Sequence, residues 1–229
     1  MKETSSEKLC KNRNFILALL FAVSFIILTG LVVHGSTDSI DVSILHFLVG
    51  HVEKLPISIT IIFDYTDIPI YFTFFLGMIY FIKEKSYHQA LTYLSTVTVS
   101  SLSYPLLKLI IARPRPTTYL VYRSGFAYPS GHATMSFAVF IGLYVSYYIY
   151  RKMEHDYLYF SILSTAAVII AYSRIFMGYH HLTDIIAGYL LAATIVVLIP
   201  PLFQYPVIKK QSDKLGDFME EHIVSRFRK

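Results

Sequence analysis

An all-α, polytopic membrane protein is the fold class this sequence predicts, and three observations predict it. Of the 229 residues, 55% are hydrophobic and only 15% are charged, with a mean hydropathy of +0.53. Apolar runs recur at lengths near the roughly 20 residues that cross a bilayer as helix. The charged residues gather in short segments between these runs, where charge sets topology. One membrane-embedded domain, residues 1–229, is expected, with no polar stretch long enough for a second, soluble one. The net charge of +5 does not point to nucleic acid, because the cations are dispersed among the loops rather than clustered on a polar domain. Cys10 is the only cysteine, which excludes an intrachain disulfide.

Six spans follow, at about Asn14–His34, Ile57–Ile82, Gln89–Ile111, Ala133–Tyr150, Tyr157–Phe176 and Leu182–Phe203. The first is preceded by Lys8, Lys11 and Arg13 and superficially resembles a signal peptide. Its apolar stretch, Phe15 to Val33, is too long for a signal core and lacks a small-x-small cleavage site, so it is read as a retained span. The second is interrupted by Asp64, Asp67 and Pro69. A bare carboxylate at mid-bilayer is costly. Two readings stay open: a continuous span, or a crossing that starts near Asp67 while Ile40–Val52 and Ile57–Phe63 lie along the outer surface.

The third span is expected to kink at Tyr104-Pro105, with Ser101 and Ser103 satisfying the freed carbonyls. Arg113-Pro114-Arg115-Pro116 ends it, because proline cannot continue a helix and biases its predecessor toward extended geometry. Tyrosines flank several spans, as an interface belt requires (Tyr104, Tyr128, Tyr147, Tyr148, Tyr150). The tail from Asp213 to Lys229 places Leu215, Phe218, Met219 and Ile223 near helical spacing. It is either a short amphipathic helix on the inner surface or a frayed polar tail.

Positive charge marks one side. Lys8, Lys11 and Arg13, then Lys83 and Lys85, then Arg151 and Lys152, then Lys209 and Lys210 all fall on the same face of a six-span chain. Both termini are therefore expected in the cytoplasm, with loops 35–56, 112–132 and 177–181 outside. Arg113, Arg115 and Arg123 violate the rule in an outer loop, and anion binding supplies a reason.

The residues that carry chemistry lie at the outer ends of these spans. Lys108 and Arg115 offer a compact charge and a planar fork, a combination suited to phosphate oxygens. Alone, Lys108 reads as a snorkelling interface lysine. Pro129-Ser130-Gly131-His132 reads as a turn with a serine N-cap. A helix N-terminus there presents free N–H groups and partial positive charge to an anion, and Gly131 permits close approach. His180 and Asp184, four residues apart, are expected on one helix face, after Ser173-Arg174 closes the preceding span. A carboxylate accepting from one imidazole nitrogen leaves the other as nucleophile. The plainer reading of Asp184 is a cap or ion pair at a helix start. A metal held by His180, His181 and Asp184 is disfavoured, because the other groups at hand are cations rather than acidic ligands.

Taken together, Lys108 with Arg115-Pro116, Pro129-Ser130-Gly131-His132, and Ser173-Arg174 with His180 and Asp184 resemble the three-part signature of the type 2 phosphatidic acid phosphatase superfamily. All three parts occur in order across residues 108–184. Any one part alone is weak, while the combination is highly specific. The adjacent His181 competes for the nucleophile position, but the spacing from Arg174 selects His180.

The resemblance implies an integral-membrane phosphatase working without metal or other cofactor, its site at the outer membrane–water boundary of a cell membrane, bacterial in its compactness. His180 would attack phosphorus and become a phosphohistidine, Asp184 would orient it, and His132 would protonate the leaving oxygen. Lys108, Arg115, Ser130, Gly131 and Arg174 would hold the phosphoryl oxygens. The partners implied are the bilayer and a lipid phosphate: undecaprenyl diphosphate, phosphatidylglycerophosphate or phosphatidic acid. A lipid A phosphatase or phosphotransferase of the same superfamily is the alternative. Tyr119, Tyr122, Phe126 and Tyr128 are candidate headgroup contacts. Vanadium-dependent haloperoxidases resemble the same signature but are soluble, against the six apolar runs here. A non-catalytic transporter of anionic lipids would need the cations but not an oriented His180–Asp184 pair.

Overall fold

The structure, a computed structural model, describes residues 5–52, 57–117, 124–151 and 157–222. Among these residues the chain forms nine helices and no strand: α1 (Ser5–Val33), α2 (Asp38–Val52), α3 (Ile57–Asp64), α4 (Asp67–Lys83), α5 (Tyr87–Ile111), α6 (Gly131–Arg151), α7 (Tyr157–Phe176), α8 (Leu182–Phe203) and α9 (Pro206–His222). Among the described residues four stretches are long and apolar enough to cross a membrane: Asn12–Val33, Tyr87–Ile111, Tyr157–Phe176 and Leu182–Phe203. The expected second span is not continuous. It breaks at Tyr65-Thr66, and a new helix starts at Asp67, which puts both carboxylates at helix ends rather than in a helix interior. At 1.5 Å per residue, α4 is about 26 Å long, close to the hydrocarbon thickness.

Helix α6 occupies the middle of the bundle and packs on α4, α5, α7 and α8, while α1 lies along α8. The main core joins Ile70 and Phe81 of α4, Tyr93 and Val97 of α5, Val139 and Leu143 of α6, and Leu163 and Ile170 of α7. Polar atoms inside it are bonded, as a low-dielectric interior requires: the Tyr93 hydroxyl donates to the Val139 carbonyl at 3.1 Å. A smaller core brings Leu45 of α2 onto Ala133, Ala171, Ile175 and Ile185. Outward faces are apolar instead of charged. Leu19, Ile26, Leu102, Leu109, Leu158 and Ile162 are all exposed. Lipid tails are the solvent that such a surface fits.

Helix ends are set by local chemistry. Helix α5 stops where Ala112 takes a left-handed conformation (φ 51°) ahead of Pro114. The kink residues behave differently from expectation. The Ser101 and Ser103 hydroxyls donate to the carbonyls of Thr98 and Val99, not to the carbonyl of Ser101 that Pro105 frees. Helix α7 ends in a tight turn, with Gly178 left-handed (φ 70°) and donating to Ile175, and Tyr179 N–H donating to the Arg174 carbonyl at 2.9 Å. Helix α8 meets the start of α6 closely. A Cβ on Gly188 would lie 2.7 Å from the Ser130 carbonyl oxygen, so only glycine permits this approach.

The tail is helical through His222, and Ile223 lies outside the described residues. Helix α9 docks on the start of α5 through a Lys85–Glu220 ion pair at 2.7 Å and a His88–Ser212 hydrogen bond at 2.6 Å. It leaves Leu215 and Phe218 exposed.

Candidate active site

The starts of α4 and α6 and the ends of α5 and α7 meet at one end of the bundle around a cavity of about 260 Å³. Its walls include Lys108, Arg115, Gly131, His132, Arg174 and His180 from the sequence reading, together with Asp67, Tyr71, Tyr104 and Tyr179. Residues up to 113 positions apart in the chain, Asp67 and His180, thus share one wall because four helix ends converge there.

His180 sits behind the cavity mouth, 3% exposed. It precedes α8 instead of opening it, so the four-residue spacing to Asp184 is not a helical pair as expected. The glycine turn after α7 carries the chain back, and the His180 Nδ1 comes to 3.4 Å from Asp184 Oδ2. Its other nitrogen, Nε2, lies 3.4 Å from Arg115 Nη1. That pattern suits an Nδ1–H donated toward the carboxylate and an Nε2 lone pair facing the cations. His181 also approaches Asp184, at 3.5 Å, but does not line the cavity. Asp184 does cap the helix as well, since its Oδ2 accepts the His181 N–H at 2.8 Å.

His180 has its pKa pushed down to about 4, from an ordinary value of 6.5. Burial is the largest cause, since a dry site disfavours the imidazolium. The Asp184 hydrogen bond and charge oppose the shift, and the charges of Lys108 and Arg115 reinforce it. Because the folded value lies below the unfolded one, the neutral ring's contribution to stability is complete above about pH 6.5 and is lost as pH falls toward 4. His180 ring signals followed by histidine-selective NMR are expected to stay those of a neutral imidazole from pH 7.5 down to pH 5. A titration centred between 6 and 7 would contradict this environment.

His132 stands in the first turn of α6 with Nε2 at 3.4 Å from Arg174 Nη1 and 3.0 Å from Asp67 Oδ1. Arg174 is fully buried, and its Nε donates to Ser173 Oγ at 3.1 Å while its guanidinium lies over the Tyr179 ring at 5.4 Å. Lys108 donates to the carbonyls of Phe126 and Ala127 at 2.7 and 3.0 Å, and Arg115 to those of Ser124 and Tyr179 at 3.2 and 2.9 Å. Both cations therefore pin the loop between α5 and α6 while facing the cavity.

Several expectations need correcting. Ser130 is fully buried and does not line the cavity; its N–H donates to the Asp184 carbonyl, and its Oγ lies 3.4 Å from the Ala133 N–H. Gly131 does line it, but a Cβ there would strike the Tyr104 ring at 2.7 Å, so glycine here makes room for that ring as well. Arg113 does not face the cavity. Its guanidinium is held by Asp184 at 2.7 Å and Asp41 at 2.8 Å, which supplies a reason other than anion binding for this arginine. Burial alone would lower its pKa, but the two carboxylates outweigh that and raise it. Phe126 offers its carbonyl to Lys108 and Tyr128 bonds Thr29 of α1 at 2.8 Å, and neither side chain lines the cavity. Tyr119, Tyr122 and Arg123 lie outside the described residues.

Sequence reasoning left Asp64 and Asp67 unplaced. Asp64 accepts from the Tyr179 hydroxyl at 3.0 Å, and Asp67 enters the cavity wall. A carboxylate inside an apolar run was the signal that pointed to both.

A family model described as PAP2 superfamily matches residues 89–207. Phosphatidylglycerophosphatase B of Bacillus subtilis (strain 168) is 29% identical over 99 residues, which cover 41% of this chain and 48% of that protein. Sphingosine-1-phosphate phosphatase 1 of Mus musculus is 32% identical over 100 residues, 41% of this chain and 23% of that protein. The matches thus span about half and about a quarter of these relatives. The crystal structure of a transmembrane PAP2 type phosphatidylglycerolphosphate phosphatase from Bacillus subtilis superimposes with a TM-score of 0.62 at 22% identity, covering 86% of this chain and 96% of that one. It supports the transmembrane all-helical fold.

Proposed function

The chain belongs to the PAP2 superfamily, and from that premise we propose that it is an integral-membrane lipid phosphatase acting through a phosphohistidine. The observation that carries the proposal is the convergence of His180, His132, Lys108, Arg115 and Arg174 on one cavity. In the proposed reaction, the His180 Nε2 lone pair attacks phosphorus in line with the ester oxygen. The P–O bond breaks, and His132 delivers a proton to the departing oxygen. Asp184 takes the Nδ1–H bond and stabilises the charge that develops on the ring. Water then attacks the phosphohistidine, gives its proton to His132, and releases phosphate with His180 restored.

Lys108, Arg115, Arg174 and the amides at the start of α6 would offset charge on the equatorial oxygens, the part a metal ion plays elsewhere. The same predominance of cations around the cavity supports a metal-independent reaction. An oriented nucleophile also favours an enzyme over a transporter, which needs only to bind its anion.

Six crossing helices, α1 and α4 to α8, with both termini in the cytoplasm complete the proposal. Lys83 and Lys209 then fall inside and the cavity faces outward, at headgroup depth. A lipid would keep its tail in the bilayer and present its phosphate to the site. Phosphatidylglycerophosphate is the first substrate to test, given the name of the bacterial relative; undecaprenyl diphosphate, phosphatidic acid, sphingosine-1-phosphate and lipid A complete the panel. Purified protein is expected to release phosphate from at least one of them, equally well after treatment with EDTA. Loss on chelation restored by Zn²⁺ or Mg²⁺ would overturn metal independence, and no release from any lipid would favour the transporter.

A further inference from the structure

The geometry points to Arg113 and Asp41 as positioning residues that clamp the Asp184 carboxylate behind His180, a role that rests on the proposed phosphatase reaction. Neither residue lines the cavity, so neither touches substrate. Three segments meet at this clamp: α2, the loop after α5 and the start of α8. Arg113 Nη1 donates to Asp184 Oδ1 and to Thr183 Oγ1, both at 2.7 Å. Arg113 Nη2 donates to Asp41 Oδ2 at 2.8 Å. Asp41 is itself almost fully buried and caps α8 from outside that helix. Its Oδ1 accepts the Thr183 N–H at 3.1 Å, and its Oδ2 accepts the Thr183 hydroxyl at 2.5 Å.

The consequence for Asp184 is geometric and electrostatic. With Oδ1 committed to Arg113 and the carboxylate plane held, Oδ2 is the oxygen left to face His180 Nδ1. An arginine bonded to Asp184 alone would neutralise it and weaken its hold on a charged imidazole. Asp41 supplies the second negative charge, and the more exposed Asp38 lies 3.6 Å from the same guanidinium, so the cluster around Arg113 stays net negative toward His180. A planar fork is required, because a lysine ammonium cannot bridge two carboxylates in this parallel manner. The clamp also gives α2 a part in the site, although none of its described residues lines the cavity.

The test uses the full-length chain with R113K, R113Q, D41N and the D41N/R113Q double variant, beside wild type and H180A. Each sample is checked for a single elution peak and its Tm, since a carboxylate left buried without its partner destabilises. D41N/R113Q restores charge balance and guards against variants that fail to fold. R113K and D41N are expected to lower kcat on the order of ten- to hundredfold, the range typical when the partner orienting a functional histidine is lost. KM should stay within about twofold, because substrate contacts are intact. The two sites should be coupled, the double variant losing much less than the product of the single losses.

The His180 ring signals supply a readout that needs no turnover. A changed Nδ1 signal in R113K is expected. Folded R113K and D41N with kcat within twofold of wild type, or an unchanged Nδ1 signal in R113K, would overturn the clamp. A failure of wild type to release phosphate would instead strike the phosphatase reading, and the Nδ1 comparison still decides the clamp.

Discussion

His180→Ala is expected to lower phosphate release by about 10⁴-fold or more, the scale seen when an enzyme loses its nucleophile. His180 is the one of two adjacent histidines that lines the cavity, and its Nε2 faces Arg115 while Nδ1 faces Asp184. His181→Ala supplies the internal contrast. That ring contacts Asp184 from outside the cavity, so a loss of less than about tenfold is expected there. Steady-state release of phosphate from the best lipid of the panel measures both. Comparable losses in the two variants would remove the distinction on which the nucleophile assignment rests.

Arg174→Ala is expected to lower kcat/KM by about 10²–10³-fold, most of it in kcat, as when one preorganised donor to the reacting oxygens is deleted. The guanidinium reaches toward His132 Nε2 and is fixed by Ser173 and the Tyr179 ring, so it needs no rearrangement when charge builds on phosphorus. Deleting a fully buried side chain also leaves a void, and a lower Tm should accompany the kinetic loss. Arg174→Lys separates the two effects. It fills most of the space and keeps the charge but loses the planar fork, so its kinetic loss should persist while stability largely returns. A folded Arg174→Lys enzyme with kcat/KM within threefold of wild type would show that the fork is dispensable.

What the sequence disclosed, and what it hid, follows from the range of the interactions. As members of the cavity wall, Lys108, Arg115, His132, Arg174 and His180 were legible because each polar or charged side chain sits beside an apolar run, where it calls for an explanation, and Gly131 was legible from its turn. The helices were legible because apolar periodicity and length are local properties, and the proline-rich stop after Ile111 is likewise local. The clamp was not legible. Asp41 and Arg113 are 72 residues apart, and no pattern in either segment names the other. Arg113 accordingly read as a further anion-binding arginine.

His180 and Asp184 misled in a different way. A spacing of four imitates a helical pair, but the Gly178 turn makes the first residue a loop residue, and only backbone geometry distinguishes the two. Asp67 gave a signal that was read as an obstacle to burial. In the structure the same carboxylate starts α4 and faces His132. Ser130 lost its expected place because its backbone is tied to Asp184 and its side chain to the first turn of α6.

The claim on which the rest depends is that His180 carries the phosphoryl group between lipid and water. Rapid-quench trapping with ³²P-labelled lipid phosphate tests it most directly. Label that stays on the wild-type chain in base, leaves in acid, maps to the peptide containing His180 and is missing from His180→Ala is the expected result. Full turnover by wild type with label on no histidine at any quench time, or with label on His132 or His181 instead, would contradict it.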